Sequence, residues 1–358
     1  MFHLIDLIAT LTDQRDRGSL DRALIRVLMD LLKPTRVTLY LVMSDSSDQR
    51  WLPAIVQQEG RPLEVNDAMH ADFRRLGPVD EDSPRQRCLE VNLPVVVEDE
   101  GGQPGACLTC LPLFVGGALG DAGVIEIRSG ARLDAQALAS IERVLRVYRN
   151  MHDMFLYSER DALTGLLNRK SFEETFYKSL SEVAVASLDP AVGAAEMPGE
   201  PPGRRTRLAE QFWLAMVDVD HFKPVNDQFG HQIGDEVLIL VARILKNTFR
   251  GYDRVYRFGG EEFVVLMRCP DHTAAMQTAE RFRQKMAQYR FPQVGRITVS
   301  VGLSGIGGGD APDVVCNRAD QAVYYAKRNG RNRVCSYDEL IQQGLLQADV
   351  RDGGAELF

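Results

Sequence analysis

The sequence predicts an α+β protein made of two sheet-and-helix units joined by a long helix. Three observations predict it. Five segments between residues 36 and 129, RVTLYLV, WLPAIVQQ, LPVVVED, ACLTCLPLFV and ALGDAGVIEIRS, alternate or run apolar between turn residues, as strands do. The stretch LDAQALASIERVLRVYRNMHDMFLYSER holds no Gly or Pro and repeats apolar residues at helical spacing. Beyond Asp161, FWLAMVDVD, VYRFGGEEFVVLM and RITVSVGLS alternate with helical patterns around a central Gly-Gly turn, which describes a mixed sheet flanked by helices.

Composition sets the outer limits. Of 358 residues, 45% are hydrophobic and 26% charged, and 42 Lys plus Arg against 50 Asp plus Glu give a net charge of −8. Disordered and fibrous classes are excluded, and the charge argues against a nucleic-acid partner. No run approaches the ~18 uninterrupted apolar residues of a membrane span; Cys107–Ile127 is broken by Pro112, glycines and Asp121. The opening MFHLIDLIATLTDQRDR lacks a basic leader and reads as an amphipathic helix, so the expectation is a cytoplasmic chain without an integral membrane segment. Six scattered cysteines make no disulfide framework, and Cys107 and Cys110 read as small buried side chains of a strand.

In the first unit a helix over Asp21–Leu32 is stopped by Pro34, and another near Ser83–Val91 precedes LPVVV. In the long helix, Leu138, Ile141, Leu145, Tyr148, His152 and Phe155 are spaced 3,4,3,4,3. Such a seam suits a two-helix coiled coil or an amphipathic face packed on its own domain, and both readings stand. In the second unit helices are expected around Arg169–Val185, Ile233–Phe249, Thr273–Tyr289 and Val314–Asn329. The Pro-, Gly- and Ala-rich segment 187–207 reads as an insert without a chemical role.

The chemistry-bearing residues concentrate in this second unit. An apolar strand delivers Asp218 and Asp220 at its end, and the RFGGEEF turn presents Glu261 and Glu262. Four carboxylates from strand ends and turns are costly to cluster unless a cation sits among them. Oxygen donors without Cys or His suit Mg²⁺ or Mn²⁺, and two such ions would clamp the oxygens of a phosphoryl or nucleotidyl transfer. Gly259 and Gly260 would allow a sharp turn and a close approach. Lys223, Lys327 and Arg331 are cations suited to phosphates. Asn226 and Asp235 could read a guanine edge, although Asp235 could equally cap the helix that follows.

DALTGLLNR (161–169), DVDHFKPVNDQFGHQIGDEVL (218–238), RFGGEEF (257–263) and ADQAVYYAKRNGRNRV (319–334) together resemble, in order and spacing, the GGDEF domain of diguanylate cyclases, in its GGEEF variant. The resemblance implies a class III cyclase-like, five-stranded sheet flanked by helices. It implies condensation of two GTP into cyclic di-GMP with release of two pyrophosphates across a homodimer of catalytic domains. Carried onto this sequence, Asp218, Glu261 and the Val219 carbonyl would ligate Mg²⁺ or Mn²⁺, two ions per half-site. Glu261 would take the 3′-hydroxyl proton with Glu262 assisting. Phe222, Lys223, Asn226, His231, Asp235, Lys327 and Arg331 would hold substrate. Arg250 and Asp253 form an RxxD at the family's inhibitory product site, with Arg281 as its secondary arginine.

The N-terminal half is similar to a GAF domain, chiefly through ACLTCLPLFVGGALGDAGVIEIRSG. The expected organisation is a GAF-like sensory or dimerisation domain over 1–132, a helical linker over 133–160, a catalytic domain over 161–340 and a tail over 341–358. The sequence names no GAF ligand. The alternative function is a catalytically silent cyclic di-GMP receptor or signalling scaffold.

Overall fold

The computed structural model describes residues 2–45, 48–99, 105–114, 122–173, 175–177, 211–307 and 309–347, and the chain divides into two units, 1–160 and 161–358. The 187–207 insert, residues 178–185 of the expected helix, residues 115–121 of the Gly-rich hairpin and the end of the tail lie outside the described residues.

The first unit is an antiparallel sheet carrying helices. Its helices are α1 (Phe2–Thr12), α2 (Arg17–Leu32), α3 (Pro84–Val91) and α4 (Ala135–Glu159). Its strands are β1 (Arg36–Asp45), β2 (Asp48–Gln58), β3 (Glu64–Val65), β4 (Gly77–Pro78), β5 (Val95–Glu98), β6 (Cys107–Phe114) and β7 (Gly123–Ser129), in the order β3-β2-β1-β7-β6-β5 with β4 on β2. α2 starts earlier than its apolar pattern suggests because Asp16 caps it, accepting the Ser19 N–H at 2.9 Å. It ends at Lys33 in a left-handed conformation just before Pro34. Leu24, Leu28, Leu39, Ile125, Ile127, Ile141, Leu145 and Tyr148 form one core between this sheet and its helices.

That core accounts for the apolar seam of α4. Ile141, Leu145, Tyr148 and His152 are buried in the first unit, with Leu138 and Phe155 packed partly buried against the same core. The 3,4 seam is therefore filled from within the chain. On the sheet's other side, Trp51, Cys88, Cys110 and Val124 cluster. Burial pushes the Cys110 thiol up to about 12 and the Cys88 thiol to about 11, so both stay protonated at neutral pH.

The second unit is α+β with a mixed sheet. Its strands are β8 (Leu167–Asn168), β9 (Gln211–Val219), β10 (Arg254–Arg257), β11 (Glu262–Cys269), β14 (Val299–Gly305) and β15 (Val334–Ser336), while β12 (Arg290–Phe291) and β13 (Gly295–Arg296) form a separate ribbon. The order is β15-β14-β9-β11-β10-β8, antiparallel at the centre and parallel at both edges, where β8 pairs β10 and β15 pairs β14. The sheet thus has six strands rather than the five the resemblance implied, counting the very short edge strands β8 and β15. Around it lie α5 (Phe222–Phe229), α6 (His231–Lys246), α7 (His272–Gln288), α8 (Pro312–Arg328) and α9 (Tyr337–Gln342). α6 and α7 bury Val237, Val241, Leu245, Ala279 and Phe282 against Val217, Val219, Phe263 and Val265. This fixes the C-terminal end of β9 rigidly beside the start of β11.

Candidate active site

β9 and β11 run antiparallel with Asp218 directly opposite Glu262. β9 is buried along almost its whole length, and it carries carboxylates into the interior at its end: Asp218 and Asp220 are 5% and 4% exposed. Their fates differ. Asp218 Oδ2 lies 2.6 Å from Lys327 Nζ, whereas its Oδ1 is buried without a hydrogen-bond partner. Burial raises the Asp218 pKa above the ordinary carboxylate value; Lys327 opposes the rise, and the charges of Glu262 and Asp220 add to it.

Asp220 is spent on the protein. Its Oδ1 accepts from Ser300 Oγ at 2.7 Å, and its Oδ2 accepts from Thr298 Oγ1 at 2.7 Å and from the Asn332 N–H at 3.0 Å. This corrects the expectation of a four-carboxylate cluster, since both Asp220 oxygens are turned to hydroxyls and a backbone amide. Among the described residues, no three His, Cys, Asp or Glu side chains converge into a ready metal cage.

Glu261 sits half-buried on the turn entering β11. Burial raises its pKa, and the neighbouring Asp218 charge raises it further. The turn is tied down by its own backbone: the N–H groups of Phe258 and Gly259 donate to the Glu262 carbonyl at 2.8 and 3.2 Å, and the Val219 N–H donates to the Glu261 carbonyl at 3.3 Å. Gly259 leaves room for the Glu262 carboxylate: a Cβ there would lie 2.4 Å from Glu262 Oε2, and that exposed side chain would have to shift. A Cβ at Gly260 would meet open space, and neither glycine has a positive φ, so the turn does not use a left-handed glycine.

A clasp that the sequence did not announce holds this turn. Arg257 Nη1 donates to both oxygens of Asp161 at 3.0 and 3.2 Å, and Nη2 donates to the Gly260 carbonyl at 2.8 Å. Asp161 also accepts from the Thr164 N–H and hydroxyl at 2.8 and 2.6 Å. Burial works to raise the Asp161 carboxyl, but Thr164 and Arg257 outweigh it and hold the pKa below the usual value. The DALTG and RFGGEEF segments are in this way one structure.

Beside Asp218 opens a cavity of about 160 Å³ walled by Asp218, Val219, Phe222, Lys223, Glu261, Lys327 and Arg331, with Asp220, His221 and Pro224. Eight of the residues singled out from the sequence, Asp220 among them, are thereby brought together. His221 was not singled out; it begins α5 with a left-handed φ of 58°. Glu262, Asn226, His231 and Asp235 are not among the cavity's walls. Asn226 is half-buried on α5, and His231 and Asp235 stand exposed on the first turns of α6. Asp235 is not the cap of α6, a position Gly230 holds. Gly234, one residue earlier, leaves room for that amide: a Cβ there would sit 1.9 Å from Asn226 Oδ1, so Asn226 would have to move.

Arg250 and Asp253 lie on the turn after α6. The Arg250 N–H donates to Asp253 Oδ2 at 2.9 Å, the Arg268 N–H donates to Oδ1 at 3.4 Å, and burial pushes the Asp253 carboxyl up to about 6 against these donors. The guanidinium of Arg250 donates to the Tyr252 hydroxyl, and Arg281 donates to the Thr248 carbonyl at 3.2 Å. Arg250 and Arg281 both bond to the 248–253 segment, and the Asp253 carboxylate holds the turn together and ties it to Arg268 on β11.

Residues 203–333 match the family model described as the diguanylate cyclase GGDEF domain. A diguanylate cyclase of Vibrio cholerae is 30% identical over 226 residues, which cover 61% of this chain and 70% of that protein. This chain belongs to the GGDEF-domain diguanylate cyclases. The GGDEF-domain protein is also 40% identical over 177 residues to diguanylate cyclase DgcP of Pseudomonas aeruginosa and 34% identical over 215 residues to DgcM of Escherichia coli. Those matches cover 49% and 60% of this chain but only 23% and 46% of the two relatives. Among solved structures, the coiled coil and GGDEF domain of DgcB from Caulobacter crescentus in complex with c-di-GMP matches 56% of the GGDEF-domain protein and 97% of that chain, with 27% identity and a TM-score of 0.46.

Proposed function

We propose that this protein is a diguanylate cyclase that joins two GTP molecules into cyclic di-GMP and releases two pyrophosphates. The observation that carries the reading is the cleft at the end of β9. There the orphaned Oδ1 of Asp218 and the carboxyl of Glu261 share one small space with Lys223, Lys327 and Arg331. A buried acceptor without a donor, beside a second carboxylate whose pKa it raises, fits a divalent cation. Asp218, Glu261 and the Val219 carbonyl would hold Mg²⁺ or Mn²⁺, two per half-site, which when bound would supply charge stabilisation to the oxygens of nucleotidyl transfer.

The remaining roles belong to the chain. Lys223, Lys327 and Arg331 hold the triphosphate, with Phe222 at its side. Asn226, His231 and Asp235 hold guanosine. Glu261, assisted by Glu262, accepts the proton of the 3′-hydroxyl as that oxygen bonds to the α-phosphorus of the second GTP and the bond to pyrophosphate breaks; a second such event closes the ring. One cleft presents one GTP, so the reaction requires a homodimer. Arg250, Asp253 and Arg281 bind the product as an inhibitor, and the first unit, GAF-like, regulates or pairs the catalytic units in the cytoplasm. Among the described residues no helix is long and apolar enough to cross a membrane.

The test incubates purified protein and its Glu261→Ala variant with GTP and Mg²⁺ and follows pyrophosphate and nucleotide products. Cyclic di-GMP from the parent alone is expected. No product from either, with tight cyclic di-GMP binding retained after bound nucleotide is stripped, would replace the cyclase with a receptor.

A further inference from the structure

Arg331 reaches the cleft from an unusual backbone. It follows Gly330 at φ 106°, and it and Asn332 are themselves left-handed, at φ 59° and 45°. Consecutive non-glycine residues in this region persist only when their surroundings hold them there. The constraints are visible. The Arg331 N–H donates to the Ala326 carbonyl at 2.9 Å, tying the loop to the end of α8. The Asn332 N–H donates to the buried Asp220 carboxylate at 3.0 Å. Asn332 Oδ1 accepts from Arg283 Nη1 at 2.7 Å.

Arg283 is fixed before it reaches the loop. On α7, its Nε and Nη2 form a two-pronged pair with Glu280 at 2.8 and 2.6 Å, leaving Nη1 pointed at Asn332. Pairing with Glu280 raises the Arg283 pKa and lowers that of Glu280, so both remain charged. Such bidentate, charge-assisted contacts give direction as well as strength. Asn332 is thus gripped from the sheet side by Asp220 and from the helix side by Arg283, one residue beyond Arg331, which lines the cleft.

Resting on the cyclase reading above, we propose that Arg283, on a helix that contributes no wall to the cleft, is a positioning residue for the triphosphate. It acts through Asn332, with Asp220 as the opposing anchor, to hold Arg331 in its binding conformation. Asp220 belongs to this device rather than to the metal site.

The experiment measures binding of 3′-deoxyguanosine triphosphate with Mg²⁺ by calorimetry; the analogue lacks the attacking hydroxyl and is not turned over. The parent, Arg283→Ala, Arg283→Lys, Arg331→Ala and the double variant Arg283→Ala/Arg331→Ala are compared, each with a thermal melt. Arg283→Ala is expected to raise Kd about fivefold, Arg283→Lys to recover part of that loss, and the double variant to bind no worse than Arg331→Ala alone. An unchanged Kd in Arg283→Ala, or losses that multiply in the double variant, overturns the proposal while leaving the cyclase reading intact. A parent that fails to bind the analogue removes both. The Arg283 side chain is 17% exposed and lies outside the hydrophobic core, so its variants are expected to fold, which the melts check; Asp220→Asn, at a buried position just past β9, is a secondary variant only.

Discussion

Gly234→Ala separates recognition of the substrate from stability of the fold. Gly234 lies inside α6, where alanine is favoured over glycine by about 1 kcal/mol. The new methyl group would stand 1.9 Å from Asn226 Oδ1 and 3.1 Å from its Cγ, with Phe222 Cζ at 3.3 Å. The nearest obstacle is the end of a rotatable side chain, so Asn226 swings aside at about 0.5–1.5 kcal/mol. Gain and cost offset to within about 1 kcal/mol, and the melting temperature moves by no more than about 4 °C. The displaced amide no longer meets guanine, and a lost hydrogen bond of about 1.4 kcal/mol raises the KM for GTP about tenfold. Initial rates of cyclic di-GMP formation against GTP, beside a thermal melt, read both quantities. An unchanged KM at unchanged stability would show that Asn226 does not contact the base. A fall in melting temperature beyond about 10 °C would show that the side chain cannot yield.

The other predictions test the charges. Burial lifts Asp21 to about 6 against its ordinary 3.8, even though its carboxylate accepts from the Tyr148 hydroxyl, so the folded unit keeps a proton that the unfolded chain has released between those values. Its ionisation therefore costs stability above about pH 6, by up to about 3 kcal/mol, and the cost fades as pH falls toward 4. Asp21→Asn keeps the acceptor and removes the charge, so it should raise the melting temperature at pH 7.5 more than at pH 5; a loss at both values would refute the sign. Lys327→Ala leaves Asp218 buried without its partner and should destabilise by about 1 kcal/mol, an amount reduced because Lys327 is 34% exposed, and it should sharply cut cyclic di-GMP output. An unchanged melt would mean that the pair contributes nothing to the fold. Arg257→Gln removes the bond between Asp161 and the GGEEF turn and should lower kcat about tenfold while circular dichroism is preserved. Arg250→Ala should abolish product inhibition and spare turnover, and inhibition that survives would dismiss the RxxD assignment.

The sheet was legible because β9, β11 and β14 are apolar runs ending at glycines or carboxylates, a pattern that burial on both faces imposes. α5 was not: it has two turns, contains Pro224 and begins at a left-handed histidine, so it offers neither length nor propensity to read. The seam of α4 was visible in its spacing, but 3,4 spacing is the same whether the partner is another chain or, as here, the helices of its own unit. In the cleft, Asp218, Glu261, Lys327 and Arg331 could be picked from the chain by residue type. The role of Asp220 could not be, because it depends on Thr298 and Ser300, some eighty residues away, and on a backbone amide with no sequence signature. Asp161 and Arg257 likewise sat inside recognised motifs, yet nothing in either motif says that they hold each other.

That bond has a consequence for where the second unit can begin. α4 ends at Glu159, and Asp161, the first residue of the second unit, is already gripping Arg257, which in turn grips the carbonyl of Gly260 next to Glu261. The turn beside Glu261 is thus buckled to the very first residue of its own unit: a chain trimmed to begin one residue later would still carry every motif carboxylate but would lose the pin.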